Sequence, residues 1–139
     1  MGIVLIVGEE IPTENTQTVC AGQVSQVNCD DCAVIVCEGA EMPLVSHAAG
    51  IMINGDSVYD VHTERVSGVQ IITCGRGAKN TVSVTSDNGE VLTLSLNRAV
   101  ETLCGICEPM ELPVERRGRS DYLCMAEFAA RILLGEIGQ

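Results

Sequence analysis

Tryptophan is absent from this 139-residue chain, phenylalanine occurs once and tyrosine twice. With so few rings, any core must be built from aliphatic side chains. Cationic residues are scarce as well: eight Lys and Arg face nineteen Asp and Glu, for a net charge of −11, and Lys79 is the single lysine. A surface this acidic repels phosphate backbones and anionic lipid, so no nucleic-acid partner is expected and binding to membrane surfaces is disfavoured for the chain as a whole. A basic protein partner or calcium-rich surroundings remain compatible with it. No Asn-x-Ser/Thr sequon occurs to mark secretion.

Long apolar runs are also missing. The most apolar stretch, Gly2-Ile3-Val4-Leu5-Ile6-Val7-Gly8, is far too short to cross a bilayer, lacks the basic leader of a signal peptide and runs straight into Glu9 and Glu10. No membrane insertion is expected, and the run reads as a strand that is either buried or paired with a partner.

What is present in quantity is sulfur. Eight cysteines occur, four of them in the pairs Cys29-Asp30-Asp31-Cys32 and Cys104-Gly105-Ile106-Cys107, the others being Cys20, Cys37, Cys74 and Cys124. An even number suits four disulfides, although spacing cannot choose the pairing. Apolar content of 46% gives one domain with a real core, spanning 1–139.

Strand and turn signals dominate the first 108 residues. Thr81–Ser86 and Glu90–Leu96 alternate apolar and small polar residues about Asp87-Asn88-Gly89, the pattern of a half-buried hairpin. A second Asn-Gly, Asn54-Gly55, is expected to join Ile51-Met52-Ile53 to Ser57-Val58-Tyr59. Further strands are expected at Val69–Thr73, Ala33–Val36 and within Val19–Val27. Six to eight short strands at roughly ten-residue spacing predict a mainly β fold, an antiparallel sandwich or barrel, rather than βαβ units.

The last thirty residues differ. Pro109 and Pro113 bracket an extended linker over 109–119, ending in the polar cluster Glu115-Arg116-Arg117-Gly118-Arg119. Ser120 or Asp121 can cap a single C-terminal helix over 120–135 that stops at Gly135. Cys124, Phe128, Ile132 and Leu133 form its apolar stripe, which positions Cys124 to fasten the helix down.

Several motifs carry candidate chemistry. A CxxC dithiol is redox-active when a helix N-terminus or a cation lowers one thiol pKa, whereas Cys107 is followed by Glu108 and Pro109 without a βαβ frame. Two CxxC pairs can also bind zinc or an iron–sulfur cluster through four thiolates. Gly75-Arg76-Gly77-Ala78-Lys79-Asn80-Thr81 has the composition of a phosphate loop but leads into a strand, which reads as a turn. His47 and His62 belong to no metal or catalytic pattern, and Asp30-Asp31 has no EF-hand spacing. No catalytic residue, metal site or cofactor is assigned.

One family resemblance spans about Cys29 to Phe128. The succession Cys29, Ala33–Val36, Met42-Pro43-Leu44, Ile51–Val58, Ser67-Gly68-Val69, Val82–Gly89 and Leu103-Cys104-Gly105-Ile106-Cys107, then Glu127-Phe128-Ala129, resembles the later half of a von Willebrand factor type D domain. The Gly-Asp-Pro-His opening of that family is absent, and Glu108-Pro109-Met110-Glu111 stands where its calcium-associated segment follows, so no calcium site is implied. The resemblance implies a secreted, extracellular, disulfide-rich module that assembles with other proteins.

The sequence thus predicts a non-enzymatic structural or adhesion module, acting through protein–protein contacts, self-assembly among them, with disulfides each stabilising the fold by roughly 2 to 4 kcal/mol. The expected interaction edge is Ile3, Val4, Leu5, Ile6 and Val7, an uncharged strand suited to intermolecular pairing. Two alternatives keep the sulfurs reduced: an intracellular shell or virion assembly protein, and a thiolate metal or dithiol redox protein.

Overall fold

Short apolar segments bounded by turns form twelve strands and one helix in the computed structural model, which describes residues 2–8, 17–56, 66 and 68–137. In chain order the strands are β1 (Ile3–Val7), β2 (Thr18–Ala21), β3 (Gln26–Asn28), β4 (Cys32–Val36), β5 (Leu44–His47), β6 (Gly50–Asn54), β7 (Ile71–Cys74), β8 (Val82–Asp87), β9 (Val91–Leu96), β10 (Val100–Thr102), β11 (Gly105–Cys107) and β12 (Met110–Glu115), followed by α1 (Asp121–Leu133). Eight of them form one sheet, ordered β12-β9-β8-β7-β6-β4-β1-β2, while β3–β5 and β10–β11 form two small sheets.

The fold is mainly β with one C-terminal helix, as the patterning predicts. Its pairing is mixed, however. The predicted hairpin is β8–β9, antiparallel with a bulge between Val84 and Ser86, and β12 joins β9 antiparallel as well. From β8 to β2 the large sheet is parallel throughout. Here β3 turns through Cys29–Asp31 into β4, β5 turns into β6, and Val66 bridges Val45 ahead of β7, so that two parallel sheets are wound from successive segments. A strand such as β4 or β6, buried on both faces, reads as a plain apolar run with no hairpin partner nearby.

Two local expectations change accordingly. Both edges of β6 are taken, by β4 and β7, so it takes part in no hairpin at Asn54-Gly55. The arm expected at Ser57–Tyr59 lies outside the described residues. The expected linker contains β12, where Pro113 is tolerated because an edge strand has one side without ladder bonds.

Two aliphatic cores sandwich the large sheet. The first lies under α1 and includes Val4, Ile6, Ile35, Met52, Ile72, Leu94, Phe128 and Ile132. The second lies under β3 and β5 and includes Val7, Val27, Val34, Val45 and Ile51. Helix α1 begins where the Ser120 side chain accepts the Leu123 N–H, and it ends in a Schellman motif with Gly135 at φ 79°, where Gly135 N–H reaches Ile132 O and Glu136 N–H reaches Arg131 O. The predicted stripe of Cys124, Phe128, Ile132 and Leu133 is buried against the sheet.

Candidate functional site

The sulfurs are distributed through the fold rather than gathered. Cys32 opens β4 and belongs to the core under β3 and β5, whereas Cys107, Cys37, Cys74 and Cys124 belong to the core under the helix, with Cys20 packed partly against it. The two CxxC pairs therefore lie on opposite faces of the large sheet. Among the described residues no group of three or more His, Cys, Asp or Glu is placed to hold a metal ion, so the four-thiolate arrangement is not assembled.

The expected disulfides are not formed among the described residues either. Cys32, Cys37, Cys74, Cys107 and Cys124 are buried and pack in the cores as small apolar side chains. Twelve large side chains, Ile6 and Leu94 among them, are fully buried. Each contributes about 1.5 to 3 kcal/mol before chain entropy is subtracted.

The Cys29–Cys32 corner is tied by its backbone, with Cys32 N–H donating to Cys29 O at 3.2 Å and Cys29 N–H to His47 O at 3.0 Å. The Cys29 thiol donates to the Asp31 carboxylate at 2.9 Å. That bond is the main reason its pKa is raised above the ordinary thiol value. Burial, reinforced by Cys29 and Asp31, pushes Cys32 up to about 11. A redox-active dithiol needs the opposite shift. His47 meets Asp30 at 3.2 Å with both side chains well exposed.

Cys104 and Cys107 sit on the β10–β11 hairpin, where Thr102 pairs with Gly105 across a two-residue turn and Leu103 N–H donates to Leu133 O at 2.9 Å. Cys104 is exposed; Cys107 is buried, and burial followed by the Glu108 charge raises its pKa. Cys124 does not fasten α1 covalently. Its thiol lies 3.9 Å from Arg116 O inside the core.

The Gly75–Thr81 segment is a turn between β7 and β8, as its sequence context suggests. Its anion position is filled from within: the Asp56 carboxylate accepts the Arg76 N–H, the Gly77 N–H at 3.4 Å and the Asn80 side-chain amide at 2.9 Å. The basic cluster before α1 is likewise consumed by ion pairs. Arg76 and Arg116 each bridge Asp87 and Asp121, at 2.7 and 2.7 Å and at 3.0 and 2.6 Å, closing a four-membered ring over the helix N-terminus. Arg119 pairs with Glu127 at 2.7 Å and Arg117 with Glu115 at 3.0 Å. His62 lies outside the described residues.

The interaction edge predicted at Ile3–Val7 is not an edge. Strand β1 lies between β4 and β2, paired in parallel with both, and Val4 and Ile6 are buried under the helix side. A five-residue aliphatic strand is buried more effectively inside a sheet than at its border. On their opposite face Val7 is buried in the second core, and exposure is confined to Ile3 and to the row of Leu5 and Val19. Leu5 and Val19 continue the register row of Ile51 and Val34, but the overlying small sheet ends at β3, so burial falls from 0% exposed at Val34 to half-buried Leu5 and 50% exposed Val19. Ile3, beside Cys32 on that face, is 41% exposed.

Among the described residues no helix is long and apolar enough to cross a membrane. No family model, curated protein or solved structure matches the chain.

Proposed function

We propose that this chain is a non-enzymatic structural module that works by assembling with protein, its cysteines remaining thiols. The observation that carries this reading is the apolar exposure at one border of the large sheet, where Ile3 and Val19 are 41% and 50% exposed beside Leu5, which packs against the second core. The opposite border supports the same reading by contrast. Strand β12 presents Pro113, Glu111 and Glu115, features that discourage edge pairing, which directs association to the other side.

The reduced setting, as in an intracellular shell or virion component, is supported by the placement of the two CxxC pairs on opposite faces of the large sheet and by the burial that raises the Cys32, Cys74, Cys107 and Cys124 pKa values. A secreted, cross-braced module of the von Willebrand factor type D kind is the competing proposal, supported by the order of the sequence segments that resemble that family. Light scattering on the natively isolated particle tests the assembly reading. The expected mass lies well above the 14.7 kDa of one chain; one chain alone, with no other protein in the peak, overturns it.

A further inference from the structure

We infer that the Asn88-Gly89 turn is a self-modifying site, at which the asparagine side chain closes on its own backbone and is hydrolysed to aspartate and isoaspartate. The co-reactants are hydroxide and water. Hydroxide removes the Gly89 N–H proton, the nitrogen attacks Asn88 Cγ, and the new C–N bond forms as the side-chain amide leaves as ammonia, taking a proton from water. Water then opens the cyclic imide at either carbonyl. The main chain runs through the backbone carbonyl in one product and through the side chain in the other.

The turn is built to favour this chemistry. Asn88 Oδ1 accepts the Glu90 N–H at 3.0 Å and the Val91 N–H at 2.8 Å. That oxygen gathers negative charge when the nitrogen attacks, and fixed backbone donors at such distances are the elements of an oxyanion hole. Gly89 has no Cβ to hinder the approach. Both residues are exposed, so hydroxide and water reach them and ammonia leaves to solvent. The Gly89 N–H is held at 2.8 Å by the Asp87 carboxylate, a side-chain bond outside the sheet ladder.

The Asn54-Gly55 pair supplies the contrast. Its Gly55 N–H continues the sheet by donating to the Cys74 carbonyl at 2.9 Å, and the Asn80 side chain stands where a Cβ on Gly55 would lie. Asn54 and Gly55 are half-buried, and Asn54 Oδ1 accepts the Asp56 N–H at 3.0 Å. The attacking nitrogen is therefore withheld at Gly55.

Modification at Asn88 is transmitted to the helix. Gly89 O accepts the Arg116 Nε–H at 3.1 Å and Glu90 O accepts the Arg116 N–H at 2.7 Å, while Arg116 joins Asp87 to Asp121 in the first turn of α1. Isoaspartate adds a methylene to the main chain between Asp87 and Gly89, which moves these acceptors away from Arg116. Aspartate keeps the chain length and an oxygen for the Glu90 and Val91 donors.

Ageing the full chain in mildly alkaline buffer, folded and in denaturant, tests this by peptide mapping. In the folded protein Asn88 should convert faster than Asn54 by roughly tenfold or more, and in denaturant the two should convert at similar rates. Asn88→Gln, whose longer side chain closes a ring far less readily, should keep its amide. Isoaspartate in the aged protein, labelled by an isoaspartyl methyltransferase, should map to position 88. The labelled fraction should melt below Asn88→Asp, which should stay close to wild type. Equal conversion of the two asparagines in the folded protein, or an Asn88 that keeps its amide there, overturns the inference. An isoaspartyl fraction that melts together with Asn88→Asp overturns the coupling to Arg116.

Discussion

The hydroxyl of Tyr122, in the first turn of α1, donates to the carbonyl oxygen of Val36 at 2.6 Å, with the Met52 carbonyl 3.0 Å away. One side chain thus joins the helix to the C-terminal ends of β4 and β6. Replacing it with phenylalanine keeps the ring and leaves both carbonyls without their donor, which should cost about 1 to 3 kcal/mol in urea denaturation. Burial, followed by the neighbouring Cys74 and Cys37, holds the phenol far above its ordinary pKa. The folded state therefore favours the protonated form, and its contribution is complete below pH about 10 and lost as pH rises further. Tyr122→Phe should remove that alkaline loss of stability.

The ring of Arg76, Asp87, Arg116 and Asp121 predicts the acid side. Asp121 is held below the usual carboxylate range by its hydrogen bond to Arg76 and then by Arg116, and Asp87 by the Gly89 N–H and then by Arg76. Depressed carboxylate pKa values contribute stability that is present above pH about 4 and disappears as pH falls through the folded values. Asp121→Asn should therefore melt at a lower temperature than wild type at pH 7, with the two converging toward pH 2.

How much of this was legible in the sequence depended on range. The β8–β9 hairpin announces itself through alternation and Asp87-Asn88-Gly89, although only Gly89, at φ 95°, takes the left-handed conformation, while the Asn88 side chain accepts the Glu90 and Val91 N–H groups. The α1 stripe and its end at Gly135 were equally local. Parallel pairing was not legible, because Ala33 meets Gly50 and Ile51 meets Ile71 about twenty residues apart, with no turn residue to signal it. For the candidate site, the apolar content of Ile3–Val7 marked a strand, and the structure places that strand inside the sheet and not at its edge. Which of those residues stay exposed depends on where β3 ends, a tertiary fact that no periodicity encodes.

Thiol reactivity checks the Cys29 corner. Because the Asp31 carboxylate accepts from the Cys29 thiol and holds its pKa up, Asp31→Asn should speed alkylation of Cys29 at neutral pH, read by peptide mapping after a short pulse. Cys104, exposed on its hairpin, should react early in both proteins, and Cys74, fully buried, only after denaturation.

The central claim is that packing, and not sulfur cross-bracing, holds this sheet together. Intact mass of natively isolated protein, alkylated in denaturant without reductant, tests it most directly. The account predicts a gain of eight alkyl groups, one for each cysteine. A protein that takes up none until it is reduced would contradict it.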